Sequence, residues 1–305
     1  MKNARRLIFL FFLPLLISAL ILEGTLRSIP TSYETKAQQI EACAPKIEVL
    51  FMGASHIYMG VRPSLMNVPA YNLAQVSQTA EYDFKLLKRL VEEKKVPQLK
   101  TVVLNIDAGI LFDPPLSKGN EAFRTIYYHR DMGLDKSWLP QTTDFEVSSY
   151  TNVKLKLSSL GEKNTSPDCD AFGFYTGYDV TKKEAFLTSE THACETAKRH
   201  TAGGLDAGRA NAEIYRNIVR LCLEQHWNVV VLRPPCTAYY AQYVPEECEK
   251  FCMDFLHELQ NEYHVRIGDY SRDSRFSEND FYDSAHLTLQ GATKFTQILC
   301  HDFGW

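Results

Sequence analysis

The chain predicts an α/β protein built on a doubly wound, mainly parallel sheet of about five strands in three α/β/α layers, preceded by one amino-terminal membrane helix. Three observations predict it. Short apolar runs end at glycine, asparagine or proline; amphipathic helical stretches alternate with them; and the chain opens on a long run without charge.

The first strand is residues 47–52 (IEVLFM), an apolar run that stops at Gly53, as a buried parallel strand does where it enters a loop. Residues 70–73 are a weaker second candidate. Residues 81–95 place Phe84, Leu87, Leu90 and Val91 on one helical face, and 101–106 (TVVLNI) follows as a clear strand. Residues 209–226 repeat the helical spacing through Ile214, Ile218, Leu221 and Cys222. Next come a fourth strand at 228–232, a helix at 246–263, a short strand at 265–267 and a closing helix at 288–300. Residues 111–207, rich in Ser, Thr, Gly, Asp and aromatics, break this rhythm and read as an insertion after the third strand. The domain thus spans 46–305.

Residues 7–22 (LIFLFFLPLLISALIL) follow Lys2, Arg5 and Arg6. As a helix they span about 24 Å, somewhat short of a hydrocarbon layer of about 30 Å. Residues 23–27 are a poor cleavage context, which favours an uncleaved anchor, while the length also suits a secretory signal that is removed. In either case the basic flank keeps residues 1–6 in the cytoplasm and sends the domain outside. Polar residues 23–45, with prolines at 30 and 45, read as a stalk.

The formal net charge of −4 falls to −7 once the three amino-terminal cations are set aside, the wrong sign for a partner of nucleic acid. Eight cysteines in an exported chain permit disulfides but fix no pairing. No C-x-x-C occurs, and Cys248 and Cys252 have no His pair at ligand spacing, so neither a metal nor a cofactor is expected.

In doubly wound sheets, reactive groups collect beyond the carboxyl ends of the strands. Ser55 follows the first strand at once. A serine hydroxyl needs a base in reach and a third group to fix the base's tautomer. His286 lies in the loop after the last strand, with Asp283 three residues before it. A second D-x-x-H at Asp254 and His257 lies inside a helix and reads as a surface pair. His56 is a rival base but reads as a pocket residue, since neighbouring side chains in an extended loop point apart. No G-x-S-x-G surrounds Ser55, so the nucleophile elbow of α/β-hydrolases is not supported.

The Gly53-Ala54-Ser55 block and Asp283-x-x-His286 resemble the SGNH (GDSL-type) hydrolase superfamily over residues 47–110 and 209–305. Residues 71–78 resemble its second block, with Ser77 where the family has a glycine whose amide helps form the oxyanion hole. Asn105-Ile106-Asp107 stands where the third block has G-x-N-D, without the glycine, and Ala54 replaces the family's usual Asp. The resemblance implies a flavodoxin-like layering and a Ser55, His286, Asp283 triad. It also implies oxyanion donors from Ser55 and Ser77 with the Asn105 side chain, and a pocket bordered by His56, Asn72, Asp107 and Arg233.

Membrane-tethered, exported members of the superfamily include esterases and O-acyltransferases of cell-surface polysaccharides. The implied substrate is an acylated glycan or small acyl ester, with the membrane and a membrane acyl-donor protein as partners. The alternative is a non-catalytic binding or assembly factor using the same cleft. Tyr127, Tyr128, Trp138, Phe172, Phe174 and Tyr175 in the insertion suit either lid packing or stacking on sugars.

Overall fold

The structure is a computed structural model that describes residues 2–135, 144–160, 168–177 and 183–305. Five strands, β1 (Val49–Met52), β2 (Ala70–Asn72), β3 (Thr101–Asn105), β4 (Asn228–Arg233) and β5 (Arg266–Asp269), form one all-parallel sheet in the order β2-β1-β3-β4-β5. Successive strand residues face opposite layers. Leu50, Met52, Val102, Leu104, Val229 and Val231 enter one core. Val49, Phe51, Val103, Val230 and Leu232 enter the other.

The first layer holds α2 (Ser32–Cys43), α4 (Ala80–Glu92), α9 (Gly204–Glu224) and α11 (Glu246–Tyr263), which present residues such as Ile40, Leu87, Ile218 and Phe255. The second is built on α3 (Ser55–Tyr58) and α12 (Leu289–Phe303) through Ile57, Tyr58, Phe295 and Leu299. The fold class is the one the sequence pattern predicts.

Before the sheet, α1 (Lys2–Arg27) is one continuous helix, and its Phe9–Arg27 stretch is long and apolar enough to cross a membrane. The stalk expected at 23–45 needs correction. Its larger part is helix α2, started by Thr31, whose side chain accepts from the Glu34 N–H. Tyr33, Lys36 and Ile40 are buried against the domain. The polar composition hid a narrow inward face that braces one loop. The Lys36 ammonium donates to the Ala74 carbonyl and lies 3.8 Å from the Tyr58 ring centroid, while Tyr33 Oη donates to the Val76 carbonyl at 3.4 Å. Burial pushes Lys36 down to about 7.

Between β3 and α9 the described regular elements are helices joined by turns and loops, apart from one bridge, Cys169 to Tyr175. They comprise α5 (Ala108–Leu111), α6 (Thr125–Arg130), α7 (Tyr150–Leu160), α8 (Glu190–His200) and several 3-10 turns. Tyr127, Tyr128 and Phe174 are buried here as packing residues, and Trp138 lies outside the described residues. Between β4 and α11 runs α10 (Ala238–Tyr243). All eight cysteines are free thiols.

Candidate active site

The strand order reverses direction between β1 and β3, and ligands of doubly wound sheets bind at that switch point. β1 ends at Gly53, whose φ of +133° strains any L side chain, and a Cβ there would lie 2.5 Å from the Asn105 Cβ. The chain then turns through extended Ala54 into α3, whose first residue is Ser55. Ala54 has no capping side chain, so the first amides of this helical turn point outward without an intrahelical acceptor.

His286 reaches Ser55 from the far end of the sequence. The loop before α12 is closed by a bridge between Phe281 and Leu287 and by the Tyr282 N–H donating to the His286 carbonyl at 2.8 Å. Within it, Asp283 accepts from the Ala285 and His286 N–H groups, both at 2.8 Å, and from the imidazole Nδ1 at 2.8 Å. Burial opposes the charge on Asp283, but the adjacent His286 and the two amides outweigh it and hold the carboxyl well below its usual range. An ionised carboxylate only accepts, so Nδ1 carries the proton and Nε2 offers its lone pair to Ser55 Oγ, 2.7 Å away.

A cleft of about 540 Å³ opens over this chain of contacts. Ser55, Ser77 and His286 line it from the sheet edge, and Asp113, Arg124, Arg199 and His200 from the insertion. Ser77 has φ +56°, the left-handed region where glycine is favoured. This is the same position at which the resembled family carries glycine.

The other predicted site residues are placed differently. Asn105 ends β3 with its side-chain amide donating to Asp107 Oδ2 at 2.8 Å and, at 3.5 Å, to the Leu232 carbonyl, so both hydrogens are engaged away from the cleft. The expected third oxyanion donor is therefore corrected. Asn72 is fully buried and donates to the Ile57 and Val61 carbonyls, tying α3 to β2 rather than bordering a pocket. Arg233 is buried between Glu249 at 2.7 Å and Asp269 at 2.8 Å, which more than match its charge, and with His56 and Asp107 it lines a cavity of about 20 Å³ beside the cleft rather than the cleft itself.

Asp107 and His56 form a second carboxylate–imidazole pair behind the first. His56 does not sit in an extended loop: it is the second residue of α3, only 7% exposed, with Nδ1 2.9 Å from Asp107 Oδ2. Asp107 also caps α5 through the Gly109 N–H at 2.7 Å. Gly109 is required here, because a Cβ would lie 2.5 Å from the His56 ring. Burial disfavours a charged His56, yet Asp107 more than compensates and raises its pKa. The His56 ring centroid is 5.1 Å from that of His286.

Sequence reasoning missed the insertion's contribution. His200, at the end of α8, lies 5.5 Å from His56 between ring centroids and is 2.8 Å from Tyr240 Oη through Nδ1. Burial, aided by the neighbouring His56 and Arg199 charges, pushes its pKa well down. Asp113 is driven up to about 7 by burial and then by the Asp107 charge. No motif marks these residues; the one signal was a titratable side chain at a helix terminus.

Fold and site together define an α/β protein with a Ser-His-Asp constellation at the switch point of a parallel sheet. No protein-family model matches the chain, and no curated protein matches it. Among solved structures, one described provisionally as a platelet activating factor from Streptococcus pneumonia aligns over 95% of this chain and 99% of that one, at 11% identity and a TM-score of 0.38. That likeness is too distant to bear on activity.

Proposed function

We propose that the protein is a serine esterase or O-acyltransferase acting on acyl, and foremost acetyl, esters of an extracytoplasmic glycan. The observation that carries this reading is the unbroken chain Asp283, His286, Ser55, with contacts of 2.8 and 2.7 Å. His286 takes the Oγ proton as Oγ attacks the ester carbonyl. Ser55 and Ser77 amides hold the oxyanion, and the imidazolium then protonates the leaving alkoxide. The acyl-enzyme is released by water in hydrolysis, or by a sugar hydroxyl in transfer, with a membrane protein as the acyl donor in the second case. The charged Asp283 stabilises the imidazolium at each step.

The apolar helix anchors the domain on the outer face of the membrane, residues 1–6 remaining in the cytoplasm. The poor cleavage context of residues 23–27 supports retention of that helix over its removal as a signal. The diverted amide of Asn105 favours a second reading, a non-catalytic assembly factor that binds glycan in the same cleft.

Acetate release from an acetylated oligosaccharide, with and without a deacetylated acceptor, tests the proposal. An esterase releases acetate at a rate independent of acceptor, and a transferase moves it to the acceptor. Ser55→Ala abolishes both reactions. Turnover by Ser55→Ala at the parent rate would overturn the mechanism, and glycan binding without turnover by the parent would support the second reading.

A further inference from the structure

The end of α1 is built into the insertion. Glu23 accepts the N–H groups of Glu146 and Val147 at 3.2 and 3.0 Å, Arg27 donates to the Asp144 carbonyl at 2.9 Å, and the Lys156 ammonium donates to the Leu26 carbonyl at 3.0 Å. Glu146 is itself fully buried and holds both Lys156 (2.6 Å) and Arg130 (2.7 Å). This joint fixes the height of the insertion relative to the membrane helix.

The exposed apolar side chains of α1 run up to Ile21. Glu23 lies two residues further, about 3 Å along the helix axis, and Arg27 about 9 Å. The polar layer on each side of a bilayer is about 5–8 Å deep. Whatever bonds to Glu23 therefore sits at the depth of the headgroups when α1 spans, and whatever bonds to Arg27 sits just outside them. The segment that does so carries uncovered apolar residues: Tyr150 is 81% exposed, and Phe145, Val147, Leu155 and Leu157 each exceed a third. The Arg27 guanidinium lies 5.7 Å from the Phe145 ring centroid, and Lys154 is exposed beside Leu155. Aromatic rings with cationic neighbours are what the membrane interface favours.

We propose that residues 145–157 are a second membrane contact, resting in the interfacial layer of the bilayer that α1 spans. The proposal rests on the retained-anchor reading above. It brings the cleft close to the lipid surface, because Arg124 on the cleft wall leads straight into α6, six residues and about 9 Å long, whose Arg130 grips Glu146. The acylated substrate is then one presented at the membrane surface.

The full chain, reconstituted in phosphatidylcholine–phosphatidylglycerol vesicles, tests this with photoreactive benzoylphenylalanine placed singly at Tyr150, Leu155 or Leu223. Leu223 is an exposed apolar control near the end of α9, at the opposite, amino edge of the sheet. Irradiation is expected to give phospholipid adducts at 150 and 155 at least tenfold above 223. Adducts no more frequent than at 223, or protein–protein adducts in their place, overturn the proposal. Intact mass separates the two readings: a chain beginning beyond residue 22 removes the anchor and this contact with it, whereas a full-length chain without lipid adducts removes this contact alone.

Discussion

The carboxyl edge of the sheet and the 111–207 insertion supply facing walls of one cleft, yet they hold their side chains by different means. At the sheet edge, short-range backbone geometry does the positioning: Gly53 ends β1, Ser55 begins α3, and Asp283 folds back onto His286 within one turn. In the insertion, position depends on partners far away in sequence, such as Glu23 with Glu146 and Lys156 with Leu26. Chemistry placed by local turns is hard to disturb from a distance, whereas a wall held by buried charges can be loosened at one residue.

The largest effect is expected at the sheet edge. His286→Ala or Asp283→Asn should lower ester turnover by about 10⁴-fold, with the circular dichroism spectrum unchanged. A drop of less than tenfold for Asp283→Asn would mean that His286 is oriented by something other than Asp283.

In the insertion, Lys156→Met removes one of the two cations, Lys156 and Arg130, that bond to the buried Glu146 among the described residues. Breaking a buried charge pair costs about 3–5 kcal/mol. Hydrogen exchange should therefore accelerate across α7 while the protection of β1 and β3 is retained. Equal acceleration in both would show that the two regions are one cooperative unit.

A smaller effect links the regions through pH. Burial lifts Asp83 to about 7 although Gln78 and the Gly53 amide favour its charged form. The native state then binds more protons than the unfolded chain between about pH 4 and 7, so stability falls as pH rises through that window and levels off above it. Asp83→Asn lacks this titration. Its stability relative to the parent should rise by about 2–3 kcal/mol between pH 5 and pH 8.5, read by denaturant melts. A pH-independent difference would contradict the buried, shifted carboxyl.

The smallest is at Ser77, whose left-handed backbone favours glycine. Ser77→Gly should keep activity and change stability by no more than about 1 kcal/mol, whereas Ser77→Val should lose more than that and lower kcat. Parallel kinetics and melts separate the two outcomes.

The strands were legible because parallel strands buried on both faces need unbroken apolar runs, as in 49–52 and 102–104. The juxtaposition of Ser55 with Asp283 and His286 was legible because each lies within a few residues of a strand end or helix start. Position at a strand end names the edge of the sheet but not the direction of the side chain, which is why Asn72 and Arg233 were read as pocket residues and Asn105 as an oxyanion donor, although none of the three lines the Ser55 cleft. Their directions are set by Val61, Asp107 and Glu249, partners that sequence spacing does not reveal. In α2, three inward residues among polar neighbours looked like a stalk, and their acceptors at Ala74 and Val76 are some forty positions away. His200 was invisible for the same reason, since only the fold brings α8 beside α3.

The most direct test of the central claim is labelling of the intact protein with a fluorophosphonate probe. A nucleophilic Ser55 activated by His286 predicts covalent labelling of the parent at Ser55 and none of Ser55→Ala. An unlabelled parent whose circular dichroism shows it folded, or equal labelling of Ser55→Ala, would contradict it.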